Sequence, residues 1–179
     1  MSELLLQKGW KQVTPESAGW DFLSFGVRSG SFASGTGEVE IALVPLSRRC
    51  HVEAEGQEWQ LGGRESVFAG MPWALYLPRD TAYPVKGDAE VEICGARAEY
   101  RREPVLRRPE DIEIEIRGPG NATRQINHIL KPELPSERVL WRGAVGLSPP
   151  EQETSLVQHA RPRFEQLTTI AHEHARSIR

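Results

Sequence analysis

His172 and His174, separated by one glutamate near the end of a 179-residue chain, are the closest pair of histidines in the sequence. On a strand, positions i and i+2 face one side and could share a metal ion. On a helix they diverge by about 200°. From Arg163 onward, Phe164, Leu167, Ile170 and Ala171 recur at helical spacing, which predicts a helix over 163–177. A metal centre also needs three or four ligands held by a rigid scaffold, and no acidic residue or third histidine follows this pair. The pair reads as a solvated helix end, and no metal ligand is assigned.

The other candidates are weaker as chemistry. His51 follows Cys50 directly, so strand alternation turns the two side chains to opposite faces and argues against a cysteine–histidine dyad. His128 lies in RQINHIL, where Arg124, Ile126 and His128 share one strand face. Arg124 and His128 could together meet an anionic sugar acid, or pair with carboxylates at a domain interface. They are the two candidate substrate or interface residues; no catalytic residue is assigned. GPGN, Gly118 to Asn121, lacks the lysine and hydroxyl of a phosphate loop and reads as a turn. Asn121-Ala122-Thr123 matches a glycosylation acceptor, a pattern common by chance. Glu38 with Glu40, and Glu90 with Glu92, alternate as wet strand faces would.

These side chains must be positioned by strands. WDFLSFGV (Trp20 to Val27) is the first strong strand, followed by a Gly/Ser-rich break over Gly30 to Gly37. EVEIALVPL enters a core. CHVEAEGQEWQLGG is a hairpin turning at Gly56. SVFAGMPWALYLPRD gives two short strands, and TAYPVKG and EVEICGARAEY two more. Tyr100 to Pro109 is basic and proline-punctuated, and marks a boundary. In DIEIEI beyond it, Ile112, Ile114 and Ile116 oppose Asp111, Glu113 and Glu115. Strands over Ala122–Leu130 and from Arg138 follow. The N-terminal arm, residues 1–19, could dock through Trp10 and Val13, with Trp20 beside it. Short strands with Gly and Pro between them predict an all-β sandwich or barrel.

Composition sets the bounds. Apolar residues make up 39% and charged residues 26%, with a net charge of -3, which gives no support to nucleic-acid or anionic-membrane binding. No membrane-length apolar run or basic leader is present, so a cytoplasmic location is expected. Cys50 and Cys94, both in strand-like segments, are expected to be buried thiols rather than a disulfide.

The order GWKQVTPESAGWDFLSFGV, CHVEAEGQEWQLGGRESVFAGMPWALYLPRDTAYPV and IRGPGNATRQINHILKPELPSERVL resembles the N-terminal half of the 5-deoxy-glucuronate isomerases, the IolB branch of a bicupin family. The resemblance runs from about Ser2 to Leu140, and GPGNATRQINHILKPELP is its most specific part. It implies a cupin-like jelly-roll β-barrel over 1–100, the first of two. It implies a linker and crossover strands over 101–142, leading toward a largely missing second cupin. The divergent tail, 143–179, would be partly helical. The implied reaction interconverts 5-deoxy-glucuronate and 5-dehydro-2-deoxy-gluconate in myo-inositol catabolism. The implied cofactor of a complete member is a divalent metal, zinc or manganese, held in the second barrel by a paired-histidine segment just after Leu140. WRGAVGLSPPEQE stands there instead. This chain is therefore expected to lack its own metal site and to be a shortened isomerase. The alternative is a non-catalytic module binding a sugar acid or a partner chain. Either form could self-associate through an exposed inter-domain surface, with strand 111–117 contributing.

Overall fold

A computed structural model describes residues 12–14, 16, 23–118, 124–131, 136, 141–146 and 166–168. Its strands are β1 (Gln12–Val13), β2 (Leu23–Ser29), β3 (Phe32–Gly35), β4 (Val39–Ser47), β5 (Arg49–Ala54), β6 (Gln57–Gly62) and β7 (Ala74–Leu77). They continue as β8 (Ala82–Gly87), β9 (Glu90–Arg97), β10 (Val105–Arg107), β11 (Glu113–Arg117), β12 (Arg124–Leu130), β13 (Trp141–Gly146) and β14 (Gln166–Thr168). One 3-10 turn, Pro109–Asp111, precedes β11.

The strands form three sheets, ordered β1-β2-β9-β4-β7-β10, β3-β8-β5-β6 and β11-β12-β13-β14, and every pairing is antiparallel. The expected barrel is not present. Among the described residues no ladder closes on itself: the six-stranded sheet ends at β1 and β10, and its neighbour ends at β3 and β6. The physical reason lies at Arg48. There the chain takes a left-handed φ of 62° between β4 and β5 and leaves one sheet for the other, so the two sheets face each other instead of continuing one ladder.

The central sheet is covered on both faces. On one, Ile41, Leu43, Leu75, Leu77 and Val91 meet Cys50, Val52, Leu61, Tyr83 and Val85 of the β3-β8-β5-β6 sheet. On the other, Ala42, Val44, Ala74, Tyr76, Cys94 and Ala96 meet Ile112, Ile129 and Leu130 near and in the third sheet. Burial at this density is the main stabilising term of the fold.

The structure corrects several further expectations. The Gly/Ser-rich stretch contains β3, which pairs with β8, Phe32 and Ser34 being half-buried while Ala33 and Gly35 are exposed. The first half of SVFAGMPWALYLPRD is a turn, not a strand: Ala69 N donates to Ser66 O at 3.0 Å. The basic linker contributes β10, paired with β7. The predicted C-terminal helix is also overturned, since Gln166–Thr168 pairs with Arg142–Ala144 as a strand. The rest of 163–177, with His172 and His174, lies outside the described residues, as do Trp10 and Trp20.

The β5–β6 hairpin turns where the sequence places it. Glu55 and Gly56 both take positive φ (54° and 75°), the two-residue turn whose twist suits a hairpin. Cys50 is 1% exposed and His51 points outward, and both cysteines are free and buried. Burial pushes the Cys50 thiol up to about 11. Neither thiol should be modified by a thiol-directed reagent near pH ~8 while the protein is native, and both should react on unfolding. Rapid labelling of Cys50 in the native protein would contradict this packing.

Candidate functional site

Between the central sheet and the edge of its neighbour lies a cavity of about 330 Å³. Strand β2 forms one wall. Its pairing with β9 sets Ser24 opposite Gly95, Gly26 opposite Ile93 and Arg28 opposite Val91, so Ser24, Gly26 and Arg28 share the inward face. Gly95 makes room for this wall: a Cβ there would lie 2.9 Å from Ser24 Oγ. The opposite wall is Ser34 and Gly35 of β3 with Tyr83 of β8, and Val39, Ile41 and Ile93 supply an apolar floor.

The polar groups of the cavity are held in place. The Arg28 guanidinium carbon lies 5.2 Å over the Phe32 ring, a cation–π contact. Phe32 meets Tyr83 edge-on, at 6.5 Å and 84°. Ser34 sits opposite Tyr83 in the β3–β8 ladder. Burial raises the Tyr83 phenol above its ordinary pKa of 10.0, against smaller opposing effects of the Ser34 hydrogen bond and the Arg28 charge. Tyr83 therefore stays protonated at neutral pH and keeps a hydroxyl to donate. One cation and three hydroxyls around an apolar floor suit binding. They hold no group poised to take a proton from carbon near neutral pH.

The sequence candidates lie elsewhere. Arg124 pairs in register with Arg117 on one side and Gly146 on the other. His128 sits opposite Glu113, and its Nε2 lies 2.9 Å from Glu115 Oε2. Glu115 also accepts from Arg117, and Glu113 pairs with Lys131. On the other face of β12, Gln125 Nε2 donates to Asn127 Oδ1 at 2.8 Å.

Hydrogen bonds and charge hold both glutamates of β11 below the ordinary carboxylate value of 4.5. For Glu113 the leading cause is the Lys131 hydrogen bond; for Glu115 it is that of Arg117, then that of His128. A carboxylate whose folded pKa is depressed contributes stability above its unfolded value and loses it as pH falls through the folded one. The β11–β12 edge should therefore be at full strength above pH 4.5 and weaken below it. Amide exchange over residues 113–130, followed from about pH 5 to pH 3 and corrected for intrinsic rates, reads this directly. Unchanged protection across that range would refute it.

Two carboxylates expected on wet faces are buried instead. Glu40 is 0% and Glu92 2% exposed. Tyr76 Oη donates to Glu40 Oε2 at 2.8 Å, and Cys94 Sγ lies 3.7 Å from Glu92 Oε1. The third sheet and Tyr76 cover a face that alternation alone reads as solvated. Among the described residues no three His, Cys, Asp or Glu side chains converge to hold a metal ion, so these residues do not fit the divalent metal that the sequence resemblance implies. No helix among them is long and apolar enough to cross a membrane.

Comparison with known proteins adds identity to this geometry. Residues 6–164 match the family described as KduI/IolB, a span that continues past Leu140. The chain is 31% identical over 137 residues to the 5-deoxy-glucuronate isomerase of Geobacillus kaustophilus, covering 72% of this chain and 50% of that protein. The same identity and coverage hold for the protein of that name in Geobacillus thermodenitrificans. The chain thus spans about half the length of these relatives. Among solved structures, an IolB-like protein from Salmonella typhimurium superposes with a TM-score of 0.70 at 25% identity, over 75% of this chain and 54% of that one. The Ylba protein from E. coli, at 14% identity and a TM-score of 0.52, shares the fold alone.

Proposed function

The chain belongs to the KduI/IolB family, and from that membership we propose that it serves the aldose–ketose isomerisation of 5-deoxy-glucuronate to 5-dehydro-2-deoxy-gluconate. In this reading it is the half of the enzyme that supports, and does not itself perform, the proton transfer. The observation that carries the reading is the 31% identity over 137 residues to proteins named for that activity.

The division of labour follows from the chemistry. An aldose–ketose isomerase moves a proton between neighbouring carbons and needs a base within hydrogen-bonding reach of the substrate. Among the described residues, the one imidazole–carboxylate contact, His128 with Glu115, is engaged in the β11–β12 edge beside Arg117. The third sheet suits a contact with further protein instead. Ile114 and Ile116 of β11 are 55% and 57% exposed, an arrangement that favours partner contact over solvent.

The test incubates the full chain with 5-deoxy-glucuronate, with and without zinc or manganese, and follows product by NMR. No product is expected from the chain alone. Product is expected when the second half of the Geobacillus kaustophilus relative is supplied in trans. Metal-dependent turnover by the chain alone would overturn the division of labour. No product from the mixture, with both parts folded and the intact relative active, would sink the reading. The competing reading, a non-catalytic module that binds a sugar acid, is favoured by one observation, the cavity beside Arg28.

A further inference from the structure

We propose that the cavity between β2, β3 and β8 binds a small polyhydroxylated carboxylic acid, with Arg28 taking the carboxylate and Ser24, Ser34 and Tyr83 taking hydroxyls. The family reading supplies only the choice of probe; the site is argued from its own lining.

One of the two covered faces of β2 is polar. Its inward face carries Ser24, Gly26 and Arg28, while Phe25 on the opposite face packs into the second apolar cluster. A strand that only filled cores on both sides would be apolar on both faces. Here the small and polar residues line space instead. That space, about 330 Å³, falls at the lower end of the ~300–1,000 Å³ range of small-molecule sites and far exceeds the ~30 Å³ share of one water.

The lining selects the ligand class. Its one charged side chain is Arg28, and no carboxylate or lysine accompanies it. A guanidinium matches a carboxylate with two parallel N–H donors. A phosphate, carrying a charge of about -1.5 to -2 at neutral pH, would be only partly matched by a single arginine. Three hydroxyls, each able to donate and accept, complement the alcohols of a sugar chain. Val39, Ile41 and Ile93 offer an apolar floor to its C–H face. The contact with Phe32 orients the guanidinium before any ligand arrives, which lowers the ordering cost of binding.

The test uses the full chain, with D-glucuronate as probe and D-glucose as its uncharged counterpart, read by calorimetry and thermal shift. Saturable D-glucuronate binding is expected, with D-glucose at least about tenfold weaker. Arg28 is exposed, so Arg28→Met should leave the unliganded melting temperature near wild type while weakening D-glucuronate at least about tenfold. Gly26→Val fills the cavity with Arg28 left in place and should abolish binding. If that variant does not fold, Ser34→Ala should weaken binding severalfold. Three results would each overturn the proposal: no saturable binding by folded wild type up to about 10 mM, equal affinity for the two sugars, or unchanged affinity in Arg28→Met. Because the readout is binding and not turnover, its failure is distinguishable from failure of the isomerase reading.

Discussion

Replacing Gly62 with alanine is expected to destabilise the protein by about 2–5 kcal/mol, a large share of the ~5–15 kcal/mol that holds a typical domain folded. Gly62 ends β6 with φ at +88°, and a Cβ there would lie 2.2 Å from Arg48 O and 3.2 Å from Pro45 Cβ. The first obstacle is backbone, so no rotamer change relieves it. Arg48 O also accepts the Gly63 N–H at 2.6 Å, and Arg48 N donates to Arg64 O at 2.8 Å. Moving that carbonyl therefore disturbs the corner where the chain passes from the central sheet to its neighbour. Gly56 supplies the control: its φ is +75°, but no atom lies within 4 Å of the position a Cβ would take. Gly56→Ala should cost only the left-handed strain of about 1–2 kcal/mol. Urea unfolding of both variants separates the two effects. Equal losses at the two positions would show that the corner contact does not constrain Gly62.

That corner also explains why part of the fold was legible in the sequence and part was not. Local signals carried well. Gly56 fixed its hairpin, the parity of Cys50 against His51 gave their burial, and RQINHIL and WRGAV became β12 and β13. Closure of the sheets was not a local signal. It depends on whether the chain pairs onward or changes sheet, and one residue, Arg48, decides that through a conformation its side chain does not advertise. The tail shows the same limit. Phe164, Leu167 and Ile170 have helical spacing, yet Gln166–Thr168 pairs with β13, because a short polar segment follows the edge available to it rather than its own weak periodicity.

The candidate site was hidden for a related reason. Alternation marks two faces of a strand but does not say which one is covered. Alternation in EVEIALVPL and EVEIC predicts glutamates facing outward, and a sheet buried on both faces makes Glu40 and Glu92 internal. In β2 the ambiguity acted in reverse. Ser24, Gly26 and Arg28 look like a solvated face until β3 and β8 are placed opposite them. In RQINHIL, alternation alone sets Arg124 and His128 on one strand face. Glu115 meets His128 there, a contact that required the register of β11 to be known.

Arg64→Leu should destabilise the protein by about 2–4 kcal/mol, despite replacing a charged residue with an apolar one at a position only 8% exposed. Its Nε and Nη2 donate to Pro45 O at 3.3 and 3.2 Å, and its Nη1 donates to Val67 O at 3.3 Å and Gly70 O at 3.2 Å. One planar fork thus ties the 65–70 turn to β4. Leucine returns apolar burial but takes both guanidinium donors from the Pro45 carbonyl, and a buried acceptor that loses its donor costs about 1–3 kcal/mol by itself. Arg64→Lys should recover only part of the loss, because a single ammonium cannot span carbonyls on two segments. The effect should also travel. The turn leads to Met71, whose Sδ lies 3.8 Å from Gln125 Nε2 on β12. Loosening it should raise amide exchange over residues 65–73 and, more weakly, over 125–127, with protection in the β5–β6 hairpin preserved. An unfolding free energy for Arg64→Leu within about 0.5 kcal/mol of wild type would mean that water, rather than this side chain, satisfies those carbonyls.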